Sequence, residues 1–133
     1  MLLDHYADTN GGIIYITTSS TSILMQFSDL VNKAIGVRKV FEQYEKSVLG
    51  KTWSKENFAE GLVGDVGDLM KLVMAKEGLR KIKNVDEKLA HELSDCLWSI
   101  IVLAELYDID LESSFIKTMD ELEADIKSKI APK

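Results

Sequence analysis

The chain has 133 residues, enough for one domain with its own core and too few for a second independent one. A formal charge of −6 excludes a nucleic-acid polymer as the main partner, because that binding needs a basic face to displace counterions. A lone Cys96 excludes a disulfide framework, and no apolar run reaches the length of a membrane span, so a cytoplasmic setting with no membrane partner is expected.

Residues 1–24 differ from the rest of the chain. Asn10-Gly-Gly is a turn signal, Ile13-Ile-Tyr-Ile-Thr-Thr has strand composition, and Ser19-Ser-Thr-Ser reads as linker. They are expected to form a weakly anchored extension, either upstream of a start at Met25 or as a short strand covering a partner subunit, ahead of one helical domain over 25–133. Asp4 and Asp8 with no early Lys or Arg do not suit a signal peptide.

From Phe27 to about Val48 the apolar residues Leu30, Val31, Ala34, Ile35, Val40, Phe41 and Tyr44 recur at helical spacing, and Gly50 marks the stop. Trp53 falls in a short connection. Ser54 is the expected N-cap of a second helix running to Glu77 and closing at Gly78. Lys76, Arg80, Lys81 and Lys83 crowd the next link. Asn84 with Glu87 has the pattern of a capping box, opening a third helix that continues to about Tyr107. Asp110 should cap a fourth, from Leu111 to about Ile130, with Leu111, Phe115, Met119, Leu122 and Ile126 on its inner face. A single proline, Pro132, leaves these stretches free of breakers. The fold class is therefore all-α, a four-helix bundle with short links.

Two acidic pairs stand out. Asp65 and Asp68 lie on the second helix, Glu92 and Asp95 on the third, each pair at three-residue spacing. Asp65 borders the apolar arc of Leu62, Val66, Leu69 and Val73, and Asp68 falls one step outside it. The third helix is apolar almost all round, and its polar stripe is Lys88, Glu92, Asp95 and Ser99. Carboxylates taken out of water must be protonated, paired or coordinated, and two like charges a turn apart add to the penalty. Oxygen ligands without His or Cys suit a hard cation, Mg²⁺ with Mn²⁺ as the alternative, and such an ion keeps positions for phosphate oxygens and water. Gly61, Gly64 and Gly67 each cost about 1 kcal/mol relative to Ala inside a helix, which points to close packing or to room for a ligand. Acidic pairs are common on solvated helices, and the competing reading is a structural helical oligomer whose carboxylates pair with Lys or Arg.

Gly64-Asp-Val-Gly-Asp-Leu followed by Glu92-Leu-Ser-Asp resembles the paired signature of the MazG-like all-α nucleoside triphosphate pyrophosphatases, an acidic E-x-x-E helix and then an E-x-x-D helix. The likeness runs from about Trp53 to Met119. It implies a nucleotide pyrophosphohydrolase that cleaves a (deoxy)nucleoside triphosphate between the α and β phosphates, with Mg²⁺ held by Asp65, Asp68, Glu92 and Asp95. One of the four would instead orient or deprotonate the attacking water. Three departures qualify it. The first pair is Asp where the family usually has Glu, which shortens the reach by one methylene. The last helix offers Lys117 in place of the usual Asn and Arg or Lys, and the aromatics that stack on the base in pyrimidine-preferring relatives are not evident after the acidic motifs.

Within that reading Lys76 and Arg80 are candidates for the leaving pyrophosphate, against a helix-end role for the same charges. Trp53 is a candidate wall for the base, Trp98 a core residue, and His91 a rim residue. A binding or sensor module that keeps metal and nucleotide without turnover is the alternative from another class. The helices are expected to leave apolar surface that a homodimer or homotetramer covers.

Overall fold

The computed structural model describes residues 26–130. The expected extension over 1–24, and Met25 with it, lies outside the described residues. Among those residues there are four helices and no strand: α1 (Phe27–Tyr44), α2 (Lys55–Lys76), α3 (Val85–Leu106) and α4 (Leu111–Ile130).

The helix ends follow local chemistry. Asp29 accepts the Gln26 N–H at 2.8 Å and opens α1. Past Tyr44 the chain widens into a π-helical turn, Glu45–Leu49, which the apolar spacing did not signal. It stops at Gly50, where φ is 68°, a left-handed conformation that favours glycine. Ser54 caps α2 as expected: its hydroxyl accepts the Asn57 N–H at 3.3 Å, and Asn57 Oδ1 accepts the Ser54 N–H at 3.1 Å. At the other end Gly78 is left-handed and the Leu79 N–H reaches back to the Met74 carbonyl at 2.9 Å, which closes the helix. Asp110 caps α4 through the Ser113 N–H at 3.0 Å and its hydroxyl at 2.7 Å. These bonds, the backbone one first, hold the Asp110 carboxyl below the usual carboxylate range.

One expectation is corrected. Asn84 precedes α3 but builds no capping box: its φ is 53° and its side chain makes no cap hydrogen bond. A cap must hold extended backbone to turn its side chain onto the first amides, and left-handed Asn84 does not. Asn tolerates that conformation, and it serves here as a corner. The link is tied instead by an ion pair between Lys76 and Asp86.

The core lies where α2 and α3, joined by a short link, pack along each other and α1 packs against α3. Phe58 and Leu72 from α2, Cys96, Ile101 and Val102 from α3, and Ala34 from α1 are its buried apolar residues. Trp98 joins them as expected, its indole Nε1–H donating to the Ala34 carbonyl at 3.1 Å and its ring 5.6 Å from Phe41 and 6.0 Å from Phe58.

Helix α4 is different. Leu111 is half-buried, but Phe115, Met119, Leu122 and Ile126 are exposed, and the helix makes no extensive contact with the others. Nor is α3 covered on every side, since Leu93, Leu97 and Ile100 stay exposed in the single chain.

Candidate active site

The seam between α2 and α3 carries the acidic residues. Asp65 is half-buried, and its Oδ2 accepts the hydroxyl of Ser99 across the seam at 3.2 Å. Ser99 is itself buried, so it braces the carboxylate from the core side. Glu92 and Asp95 are also half-buried.

Cys96 reports how close these groups are. Its buried thiol is pushed up in pKa by desolvation first, and then by the negative charge of Asp65, Glu92 and Asp95. Three of the four expected carboxylates therefore lie near enough to Cys96 for their charge to act on it. The thiol stays protonated and packs as a small apolar group, as its place in an apolar run implied.

Asp68 stands apart. Its side chain is 55% exposed and is paired with Lys71 one turn on. Asp95 has a partner too: His91 Nε2 lies 3.1 Å from its Oδ2. His91 is at the rim as expected, but its contact with Asp95 was missed, although the four-residue spacing on one helix would have signalled it. Asp65, Asp68 and Asp95 are turned to Ser99, Lys71 and His91, and no three His, Cys, Asp or Glu side chains among the described residues stand together as a ready metal cage. The residue types nevertheless suit a hard cation, since Asp65, Glu92 and Asp95 are half-buried oxygen donors on the two helices of the seam.

The remaining candidates are spread more widely. Trp53 stands just ahead of α2, its ring 5.4 Å from Phe58 and 44% of the residue exposed. Gly61 explains itself through Trp53: a Cβ there would meet the ring at 3.2 Å, so close packing accounts for this glycine. Gly64 and Gly67 have open space around them. Lys76 is held by Asp86, and Arg80 is exposed in the link beyond α2. Lys117 is exposed on α4, 3.9 Å from Glu121, on a helix with no extensive contact to the seam. A separate cleft of about 240 Å³, lined by Phe27, Val31, Ile101, Ala104 and Leu111 among others, lies at the far end of α3 and includes none of the acidic candidates.

The described residues form an all-α domain whose helices α2 and α3 carry half-buried carboxylates along their seam. Residues 54–124, more than half of the chain, match the family model of the MazG nucleotide pyrophosphohydrolase domain, and the chain belongs to that family. All four acidic residues lie inside the matched span, and Trp53 lies one residue ahead of it. No curated protein and no solved structure is significantly similar to the chain.

Proposed function

We propose that the protein hydrolyses (deoxy)nucleoside triphosphates to the monophosphate and pyrophosphate in a Mg²⁺-dependent reaction, with Mn²⁺ as a substitute. The observation that supports this reading is the half-buried placing of Asp65, Glu92 and Asp95 on the two helices of the seam, inside the family-matched span, with Asp65 braced by Ser99. Asp65, Glu92 and Asp95 would hold the cation, and Asp68 would join them on leaving Lys71, an exposed pair of small worth. The cation, when bound, supplies the positive charge that lets an acidic face accept a triphosphate.

The chain's own residues do the rest. The Ser99 hydroxyl fixes one oxygen of Asp65 and leaves the other for a ligand. One of the four carboxylates takes a proton from water as the water oxygen bonds to the α-phosphorus. The bond from the α-phosphorus to the bridging oxygen breaks, and that oxygen leaves with the pyrophosphate. Lys76 and Arg80, at the end of α2 and just past it, neutralise the leaving group, Lys76 by exchanging Asp86 for phosphate. Trp53 offers its exposed ring to the base.

The same reading extends to a homodimer or homotetramer. Its support is apolar surface open in the single chain on three helices, Val63 and Met70 on α2, Leu93 and Leu97 on α3, Phe115 and Leu122 on α4. An assembly would also bring Lys117 of one copy within reach of another copy's seam. Sedimentation should give a species heavier than the 14.9 kDa chain, and a stable monomer at micromolar concentration would remove the oligomer.

The test is pyrophosphate release from a panel of deoxynucleoside triphosphates, with thermal melts alongside. Mg²⁺ with the preferred nucleotide should raise the midpoint and release pyrophosphate. A raised midpoint without release would instead make the protein a nucleotide sensor, and no shift at all would leave a structural oligomer.

A further inference from the structure

The acidic seam gives no role to a deeply buried ion pair. Arg38 of α1 and Glu45 of the π-helical turn meet at 3.1 Å, with side chains only 11% and 5% exposed. The Arg38 guanidinium stands 4.7 Å from the centre of the Phe58 ring. The second oxygen of Glu45, Oε2, accepts the backbone N–H of Trp53 at 2.9 Å. Taking both charges out of water is costly, and apolar side chains of similar volume would hold these elements about as well. What apolar side chains would not do is grip the Trp53 amide.

That grip decides where the indole stands. From the amide the side chain runs to a ring set edge-on to Phe58 at 5.4 Å and resting over Gly61. Gly61 and Asp65 are one turn apart on the same face of α2. The partly exposed ring therefore stands one helical turn from the innermost carboxylate of the α2 pair. The π-helical turn belongs to the same device, since it is the segment that carries Glu45 into the interior.

We propose that Arg38 and Glu45 are positioning residues for nucleotide recognition, holding Trp53 as a fixed wall for the base beside the carboxylate seam. Arg38 orients Glu45, Glu45 anchors the Trp53 backbone, and Phe58 with Gly61 sets the tilt of the ring. An aromatic fixed before binding loses less freedom when a base stacks on it than one carried by a free loop. The inference rests on the reading of Trp53 as base-facing.

The experiment compares Glu45→Gln, Gly61→Ala and Trp53→Ala with the wild type, using dATP, dCTP, dGTP, dTTP and dUTP with Mg²⁺ and pursuing the best substrate. Glu45→Gln weakens the charge pair. Gly61→Ala leaves the pair whole, presses on the ring from the other side and adds helix propensity, so it serves if Glu45→Gln does not fold. Each should raise KM by roughly two- to tenfold with kcat little changed. Protein labelled with 5-fluorotryptophan should show the Trp53 ¹⁹F signal, assigned with Trp53→Phe, moved in Glu45→Gln and Gly61→Ala. With Trp53 already replaced by Ala, adding Glu45→Gln should change KM no further.

An equal KM rise from Glu45→Gln with and without Trp53 would overturn the proposal, as would a moved ¹⁹F signal with KM unchanged. A wild type that binds dNTP, read from the Trp53 signal, but releases no pyrophosphate would sink the hydrolase alone, and the same fold-losses would then be read in Kd. A wild type with neither binding nor turnover would sink both.

Discussion

Helix α4 has a clean amphipathic pattern and no fully buried residue, while α2 and α3 have muddied patterns and hold most of the core. On α4, Phe115, Met119, Leu122 and Ile126 form one stripe, with Lys117–Glu121 and Lys129–Asp125 pairs at four-residue spacing on the remaining surface. On α2 and α3, glycines and carboxylates interrupt the apolar arcs, yet Phe58, Leu72, Ile101 and Val102 are buried. The difference teaches that apolar periodicity marks the face that needs cover without naming what covers it. For α2 and α3 the short link closed by Gly78 and the Lys76–Asp86 pair puts the two faces together. For α4 the cover is the proposed second copy.

The contrast breaks most visibly in stability. Phe58, 2% exposed and in contact with both tryptophans, should cost about 3–5 kcal/mol when replaced by Ala, read as a lower urea midpoint. Phe115→Ala, on the open stripe, should stay within about 0.5 kcal/mol in dilute solution and grow in effect with protein concentration if a second copy covers it. Equal losses at both positions in dilute protein would mean that α4 is packed within its own chain.

A smaller effect separates site from scaffold inside the seam itself. Ser99→Ala removes the donor that braces Asp65 and should lower pyrophosphate release about tenfold. The unfolding midpoint should change little, because half-buried Asp65 can turn to water. A large fall in midpoint with unchanged turnover would make Ser99 a structural residue only.

The smallest expected effect is on the α4 cap and depends on pH. Asp110 titrates lower in the folded chain than unfolded, because the charged carboxylate accepts the Ser113 N–H and hydroxyl. A depressed carboxyl contributes stability that is present above its unfolded value and lost as pH falls through its folded value. Helicity followed by circular dichroism should therefore decline slightly through that acid range, and Asp110→Asn should flatten the decline. An unchanged profile in the variant would remove the cap's charge from the account.

Much of this was legible in the sequence. Helix ends were read from Gly50, Ser54, Gly78 and Asp110, each of which acts locally, so spacing and residue type suffice. The half-buried setting of Asp65, Glu92 and Asp95 was legible because the core-edge position of each could be placed by helical period. What escaped needed three dimensions. The pairing of Arg38 with Glu45 depends on a π-helical turn that apolar spacing cannot signal, and Asn84 was misread because its residue type suits a cap and a left-handed corner equally. That Asp68 would face outward toward Lys71 depended on a side-chain choice that periodicity leaves open.

The reaction itself is tested most directly by ³¹P NMR of the preferred triphosphate with Mg²⁺, run on the wild type and on Glu92→Gln. The wild type should give nucleoside monophosphate and pyrophosphate in equal amounts, and Glu92→Gln should be slower by about a hundredfold or more. Diphosphate with orthophosphate as the products, or undiminished turnover in Glu92→Gln, would contradict the assignment of the α2–α3 seam as the active site.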